Sequence, residues 1–150
     1  MNILISACLL GSACRYDGQS KPKEILSRLP EGIHLIPICP EQMGGLPTPR
    51  PAAERQNDRV INRAGQDVTD QFTRGAAEAL RLARLFSCPA AILKEKSPSC
   101  GSEQIYVGSF TGTLTPGDGL TAQLLKEAGI AVFGENQLDD LLAWISNQIG

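Results

Sequence analysis

Five cysteines, at positions 8, 14, 39, 88 and 100, are the residues of this sequence with the most capacity for chemistry. Cys8 leads into Leu9-Leu10-Gly11, Cys39 into Pro40-Glu41-Gln42-Met43-Gly44-Gly45-Leu46-Pro47, and Cys100 is held in Lys96-Ser97-Pro98-Ser99-Cys100-Gly101. Glycine and proline at this density fix loops and let backbone come close to a bound group. No C-x-x-C pair occurs, which speaks against a zinc ribbon, a thioredoxin-like dithiol and the bacterial ferredoxin run. Iron-sulfur clusters accept dispersed thiolates. A cubane held by three of them keeps one iron without a protein ligand, and an open position is what makes a metal site catalytic rather than structural, as it does for zinc. The competing reading is that a free cysteine is a small buried hydrophobe. Cys88, in Phe86-Ser87-Cys88-Pro89 at the entry of a strand, is either structural in that sense or simply exposed. Cys14, six residues past Cys8 in Cys14-Arg15-Tyr16-Asp17-Gly18, is a neighbour of the site or a reserve ligand.

The elements that must position these thiols alternate between strand and helix. Residues 2–6 (NILIS) and 33–38 (IHLIPI) are short apolar strands, and Pro37 assigns the second to an edge or a strand end. Residues 90–93 and 130–133 complete a set of four. A short helix is expected near 23–29 and a long one over 70–86, where Phe72, Ala76, Ala79, Leu80, Ala83 and Phe86 recur at helical spacing and Thr69 or Asp70 can cap the first turn. Two more run over 120–128, ending at Gly129, and over 137–148. This order predicts an α/β fold: one three-layer, Rossmann-like domain over 1–150, with a mainly parallel sheet of about four strands and a small hairpin from 60–62 and 67–69 appended. Cys8, Cys39 and Cys100 then leave the C-terminal ends of three strands. In an open parallel sheet those ends share the ligand-binding edge. Cys88 falls at the opposite edge.

Composition narrows the function classes. A chain of 150 residues with 42% hydrophobic and 20% charged residues is ordinary for a globular domain. Fourteen basic against sixteen acidic residues offer no basic face for intact nucleic acid or an anionic membrane. Ile5-Ser6-Ala7-Cys8 has the look of a lipidation box. Only Met1 to Ile5 precede it, without a positive charge, where a signal needs about 7 to 15 apolar residues. No run of about 18 apolar residues is present to span a bilayer. A cytoplasmic location follows as the expectation, and there an odd number of thiols is better explained by metal binding or catalysis than by disulfides.

Ser6-Ala7-Cys8-Leu9-Leu10-Gly11 with Cys14-Arg15-Tyr16-Asp17-Gly18, Cys39-Pro40-Glu41-Gln42 with Gly44-Gly45-Leu46 and Pro49-Arg50, Gly65-Gln66-Asp67-Val68-Thr69, and residues 94–101 occur in this order along nearly the whole chain. They resemble the signature blocks of the former domain-of-unknown-function family that includes the bacterial [4Fe-4S]-dependent 2-thiouracil desulfidases. The resemblance implies an oxygen-sensitive [4Fe-4S] cluster on three cysteines, which by motif are Cys8, Cys39 and Cys100. Its open iron takes the sulfur of a thiolated pyrimidine so that water can replace it. The same resemblance implies Glu41 as the acid/base residue, with Ser97 or Ser99 close to the substrate. The partner is then a small thiolated nucleobase.

The chemistry is coherent on its own terms. Sulfide is a poor leaving group, and a thiophilic metal on the thiocarbonyl sulfur withdraws electron density without net redox change. A carboxylate must take the proton of the incoming water, and Glu41 stands two residues past a ligand. Lys94, Lys96 and Arg50 either polarise a pyrimidine carbonyl or coat the rim, and Asp118 before Leu120 reads as a helix cap. A cysteine hydrolase needs an imidazole, and the single histidine, His34, precedes Cys39 by five residues of strand, roughly 16 Å when extended. Gly117-Asp118-Gly119 matches neither a Walker loop nor a dinucleotide fingerprint. A non-catalytic iron-sulfur or sulfur-carrier module is the alternative that the same three loops would build.

Overall fold

The computed structural model describes residues 1–149 apart from Lys21 and Lys23. Strands β1 (Asn2–Ser6), β2 (His34–Ile38), β5 (Ala90–Leu93) and β8 (Ala131–Gly134) form a four-stranded sheet in the order β2-β1-β5-β8. Every pairing in it is parallel. The Pro37 strand lies at the edge, where its missing N–H removes no ladder bond. Side chains alternate across the sheet, so Ile3, Ile5 and Ile92 pack with Leu138, Leu141 and Ile145 of α4 (Leu138–Ile149) on one face. Leu4, Ala91 and Leu93 pack on the other with Ala79, Leu80 and Ala83 of α2 (Thr69–Leu85) and Ala122 and Leu125 of α3 (Leu120–Glu127). This is the three-layer arrangement that the strand and helix alternation requires.

Several local expectations are corrected. Within 23–29 only a 3-10 turn forms, Leu26–Arg28, and the expected first residue, Lys23, lies outside the described residues. Phe86 falls off the buried stripe: α2 stops at Leu85, and Phe86 follows it 40% exposed. Neither Thr69 nor Asp70 caps that helix. The N-cap residue is Val68, which has no side-chain cap; Asp67 Oδ1 accepts the Thr69 N–H at 2.9 Å, while Thr69 Oγ1 accepts the Val60 N–H. The hairpin is β3 (Ala53–Gln56) with β4 (Arg59–Asn62), and residues 67–69 contribute only a bridge from Asp67 to Ile61. A second hairpin, β6 (Gln104–Tyr106) with β7 (Leu114–Pro116), follows Cys100. Asp118 leaves the cap position of α3 to Gly119 and accepts instead from the Glu103 N–H and Lys126 Nζ.

One close crossing sets the geometry near Cys39. A short helix, α1 (Pro40–Met43), meets α2 where Gly44 faces Gln71 and Gly75 faces Pro40. A Cβ on Gly75 would stand 1.9 Å from the Pro40 carbonyl oxygen. Only glycine permits this approach.

Candidate active site

Four of the five cysteines meet at one cavity of about 370 Å³ beyond the C-terminal ends of the parallel strands. Its size is that of a small-molecule site, for which roughly 300–1,000 Å³ is usual. Cys8, Cys14, Cys39 and Cys100 all line it, with Glu41 and Ser97. Cys88 does not; it is buried in the core, with its N–H on the Ala83 carbonyl at the end of α2. All five thiols are free.

Local sequence explains each placement. After β1 the chain makes a 3-10 turn, Ala7–Leu10, closed by Gly11 in the left-handed region at φ 102°, whose N–H returns to the turn's carbonyls. That turn carries Cys8. Cys39 is the residue on which α1 starts, with Pro40 at the first helical position. Cys100 is set by Ser97, whose Oγ accepts the N–H groups of both Ser99 and Cys100 at 3.1 Å. The Gly101 N–H closes the turn on the Ser97 carbonyl at 2.8 Å. Ser99, by contrast, is 1% exposed, shares a 2.7 Å hydrogen bond with Thr121 Oγ1, and does not line the cavity.

Hydrogen bonds from Cys39 and Cys8 favour the thiolate of Cys14 and lower its pKa, and the same contacts, followed by burial, raise those of Cys8 and Cys39. Cys14 lines the cavity beside them. Burial pushes Cys100 up to about 12, against a hydrogen bond from Ser6.

Glu41 is paired rather than free. Arg50 Nε donates to Glu41 Oε1 at 3.0 Å, and the two side chains are 4% and 19% exposed. The same guanidinium donates to the carbonyls of Pro47 and Cys14 and to Thr48 Oγ1, so it binds the Cys14 loop to α1. Burial raises the Glu41 pKa, and Arg50 opposes that shift. Lys94 is likewise engaged: its Nζ pairs with Glu135 Oε1 at 2.8 Å, and its charge favours the Cys8 thiolate. The three basic residues read as polarising groups or rim all line the cavity, with Arg50 buried as a partner of Glu41 and Lys94 ion-paired with Glu135. His34 lies at the N-terminal start of β2, away from all of this.

The matching model in a comparison with protein families is that of 2-thiouracil desulfurase, which covers residues 3–137. The chain belongs to the 2-thiouracil desulfurase family. Among solved structures, the [4Fe-4S]-dependent thiouracil desulfidase TudS (DUF523Vcz) is 49% identical to it, superposes with a TM-score of 0.90, and is covered over 98% of both chains. A Bacillus subtilis (strain 168) protein described as uncharacterized protein YbbK is 41% identical over 150 residues, which is 93% of this chain and 99% of that protein. The family expected from the signature blocks is the one found.

This desulfurase-family cavity also fits an iron-sulfur group by its donor chemistry. Its ligating atoms are soft thiol sulfurs, with no imidazole among them. Among the described residues no three His, Cys, Asp or Glu side chains are arranged to close on a metal ion. Glu54, Tyr106 and Phe110 line the cavity without a signal in the sequence: Glu54 lies on β3, which was not expected as the partner of 60–62, and Tyr106 and Phe110 lie in the unexpected hairpin of β6 and β7. Their partners are non-local, so no spacing rule could have found them.

Proposed function

We propose that this protein is an iron-sulfur-dependent desulfidase that converts a thiolated pyrimidine of the 2-thiouracil kind to the oxo base, releasing sulfide. The observation that carries the reading is the convergence of four thiols with a half-buried carboxylate at one small-molecule cavity, in a chain of this family. When bound, a [4Fe-4S] cluster would supply a thiophilic Lewis acid for the thiocarbonyl sulfur. Cys8, Cys39 and Cys100 are the thiolates we assign to it, with Cys14 beside them as hydrogen-bond partner. Glu41 takes the proton of the water that attacks the carbon, and Arg50 fixes the carboxylate's position without a water bridge. Ser97 is the serine we assign to the substrate. Its oxygen already accepts two N–H groups, so its own proton is free to donate to a ring oxygen or nitrogen.

The balance is simple: C=S and water give C=O and hydrogen sulfide, with no electrons exchanged. Free thiols throughout fit a reducing, cytoplasmic location, and among the described residues no helix is long and apolar enough to cross a membrane. The net charge of −2 favours a free thiobase over intact nucleic acid. The test is anaerobic reconstitution followed by incubation with 2-thiouracil. Sulfide and uracil should appear in equal amounts with the parent protein and not with Cys39→Ser. A fully reconstituted parent that forms neither product would overturn the reading in favour of a non-catalytic module.

A further inference from the structure

Both tyrosines of the chain and one of its four phenylalanines line the thiol cavity: Tyr16, Tyr106 and Phe110. Phe110 is held there by three separate devices. Its backbone sits at φ 56°, in the left-handed region that bulky residues avoid. Strain of this kind persists only where the surroundings impose it, and it concentrates at ligand clamps. What imposes it is Glu54. This carboxylate is 8% exposed and takes part in no ion pair among the described residues. Its Oε1 instead accepts the N–H groups of Gly108 and Phe110, at 3.0 and 3.2 Å. A buried carboxylate without a cation is costly unless such donors compensate it. Gln56 Nε2 adds a bond to the Gly108 carbonyl at 2.8 Å, so β3 grips the loop between β6 and β7 from both sides. Finally, the Arg63 guanidinium lies over the Phe110 ring, 5.1 Å from its centroid, and lines the cavity with it.

We infer that Phe110 is the platform on which the substrate's pyrimidine ring stacks, and that Glu54 is the positioning residue that holds the platform in place. The inference rests on the desulfidase reading and extends it to a substrate class: planar heteroaromatic thiocarbonyls. Such a ring has a π-face for Phe110, and base-on-aromatic stacking tolerates changes in ring substituents. Arg63 on one face of the phenyl ring leaves the other for the base. Neither residue touches the thiols' role in holding iron.

The experiment uses anaerobically reconstituted protein and reads iron content, visible absorption, the Kd of the sulfur-free product uracil by calorimetry, and kcat and KM for 2-thiouracil. In Phe110→Ala the iron content and absorption should match the parent. The uracil Kd and the 2-thiouracil KM should each rise ~10-fold, with kcat changed far less. Phe110→Tyr keeps the ring and should recover most of the loss. Glu54→Ala should raise Kd and KM in the same way, and Glu54→Gln, which keeps an acceptor oxygen, should recover part of it. An active parent whose Phe110→Ala variant binds uracil and 2-thiouracil unchanged overturns the platform alone, and so does a variant that loses its iron. A reconstituted parent that neither binds uracil nor releases sulfide overturns the desulfidase reading and this inference together.

Discussion

Arg50→Met isolates the contact on which the catalytic geometry depends. The guanidinium makes four hydrogen bonds, to Glu41, Pro47, Thr48 and Cys14. Methionine keeps the apolar stem and none of the donors. Thr48 Oγ1 retains Gln42 Nε2 at 2.7 Å and the Cys14 carbonyl retains the Cys39 thiol at 3.7 Å, so two acceptors are orphaned. One is a neutral carbonyl, at roughly 0.5–1.5 kcal/mol, and one is a carboxylate, at roughly 1.5–3 kcal/mol. The sum, roughly 2–4.5 kcal/mol, overlaps the usual cost of breaking one side of a buried ion pair, roughly 3–5 kcal/mol. In a chain of this size it corresponds to a Tm lowered by ~10 °C. Urea and thermal unfolding of the reduced, cluster-free protein should show it. Glu41→Gln added to Arg50→Met should recover part of the loss, because the uncompensated charge has gone. A loss below ~1 kcal/mol for Arg50→Met would refute the reasoning that Arg50 anchors Glu41.

Replacing Cys8, Cys39 or Cys100 by serine should remove the visible absorption of the reconstituted protein together with sulfide release, and Cys88→Ser should change neither, as absorption spectra and iron analysis will record. Glu41→Gln should load iron normally while sulfide release falls by ~10²-fold or more. Burial places the Glu41 pKa above its ordinary 4.5, and in the proposed mechanism the base form takes the proton. The parent rate should therefore climb with pH through that raised value, and the Gln variant should lack the limb. Gly75→Ala would place a Cβ 1.9 Å from the Pro40 carbonyl oxygen; it should cost ~1–3 kcal/mol in urea unfolding and lower kcat by displacing α1, leaving Cys88→Ser as the neutral control. The Asp67 carboxylate, which takes hydrogen bonds from Thr69 and pairs with Arg59, is held down to about 2 from an ordinary 3.8. The unfolded chain takes up that proton first as pH falls, so the contribution is full above 3.8 and lost towards 2. Asp67→Asn should flatten the urea midpoint against pH in that window.

What could be read from the sequence was whatever is encoded locally. The apolar runs of β1, β5 and β8 and the stripe Phe72, Ala76, Ala79, Leu80 and Ala83 announce a sheet between helices, and strand ends in a parallel sheet must share an edge. That rule alone brings Cys8, Cys39 and Cys100 to one place. It also brings Cys14, because the turn after Cys8 folds back on the cavity. Residues 60–62 were legible as one arm of a hairpin, but its partner β3 and the whole of β6 and β7 were not, because strands of three or four mixed-polarity residues carry no period. Residues 67–69 pair with that arm only through the bridge from Asp67 to Ile61, because α2 already begins at Thr69. Arg50 lies nine residues past Glu41 across a proline-rich loop, and no spacing rule relates such a pair. Ser97 and Ser99 were equivalent by sequence. The turn separates them, aiming one at the cavity and the other at Thr121.

The central claim is that this cavity exchanges sulfur for the oxygen of water without electron transfer, with Glu41 receiving the proton. Its most direct test is turnover of 2-thiouracil by the reconstituted protein in ¹⁸O-labelled water, with no reductant present. The account predicts one labelled oxygen in each uracil formed, one sulfide released per uracil, and continued turnover. Uracil without label, or sulfide release that requires an added reductant, would contradict it.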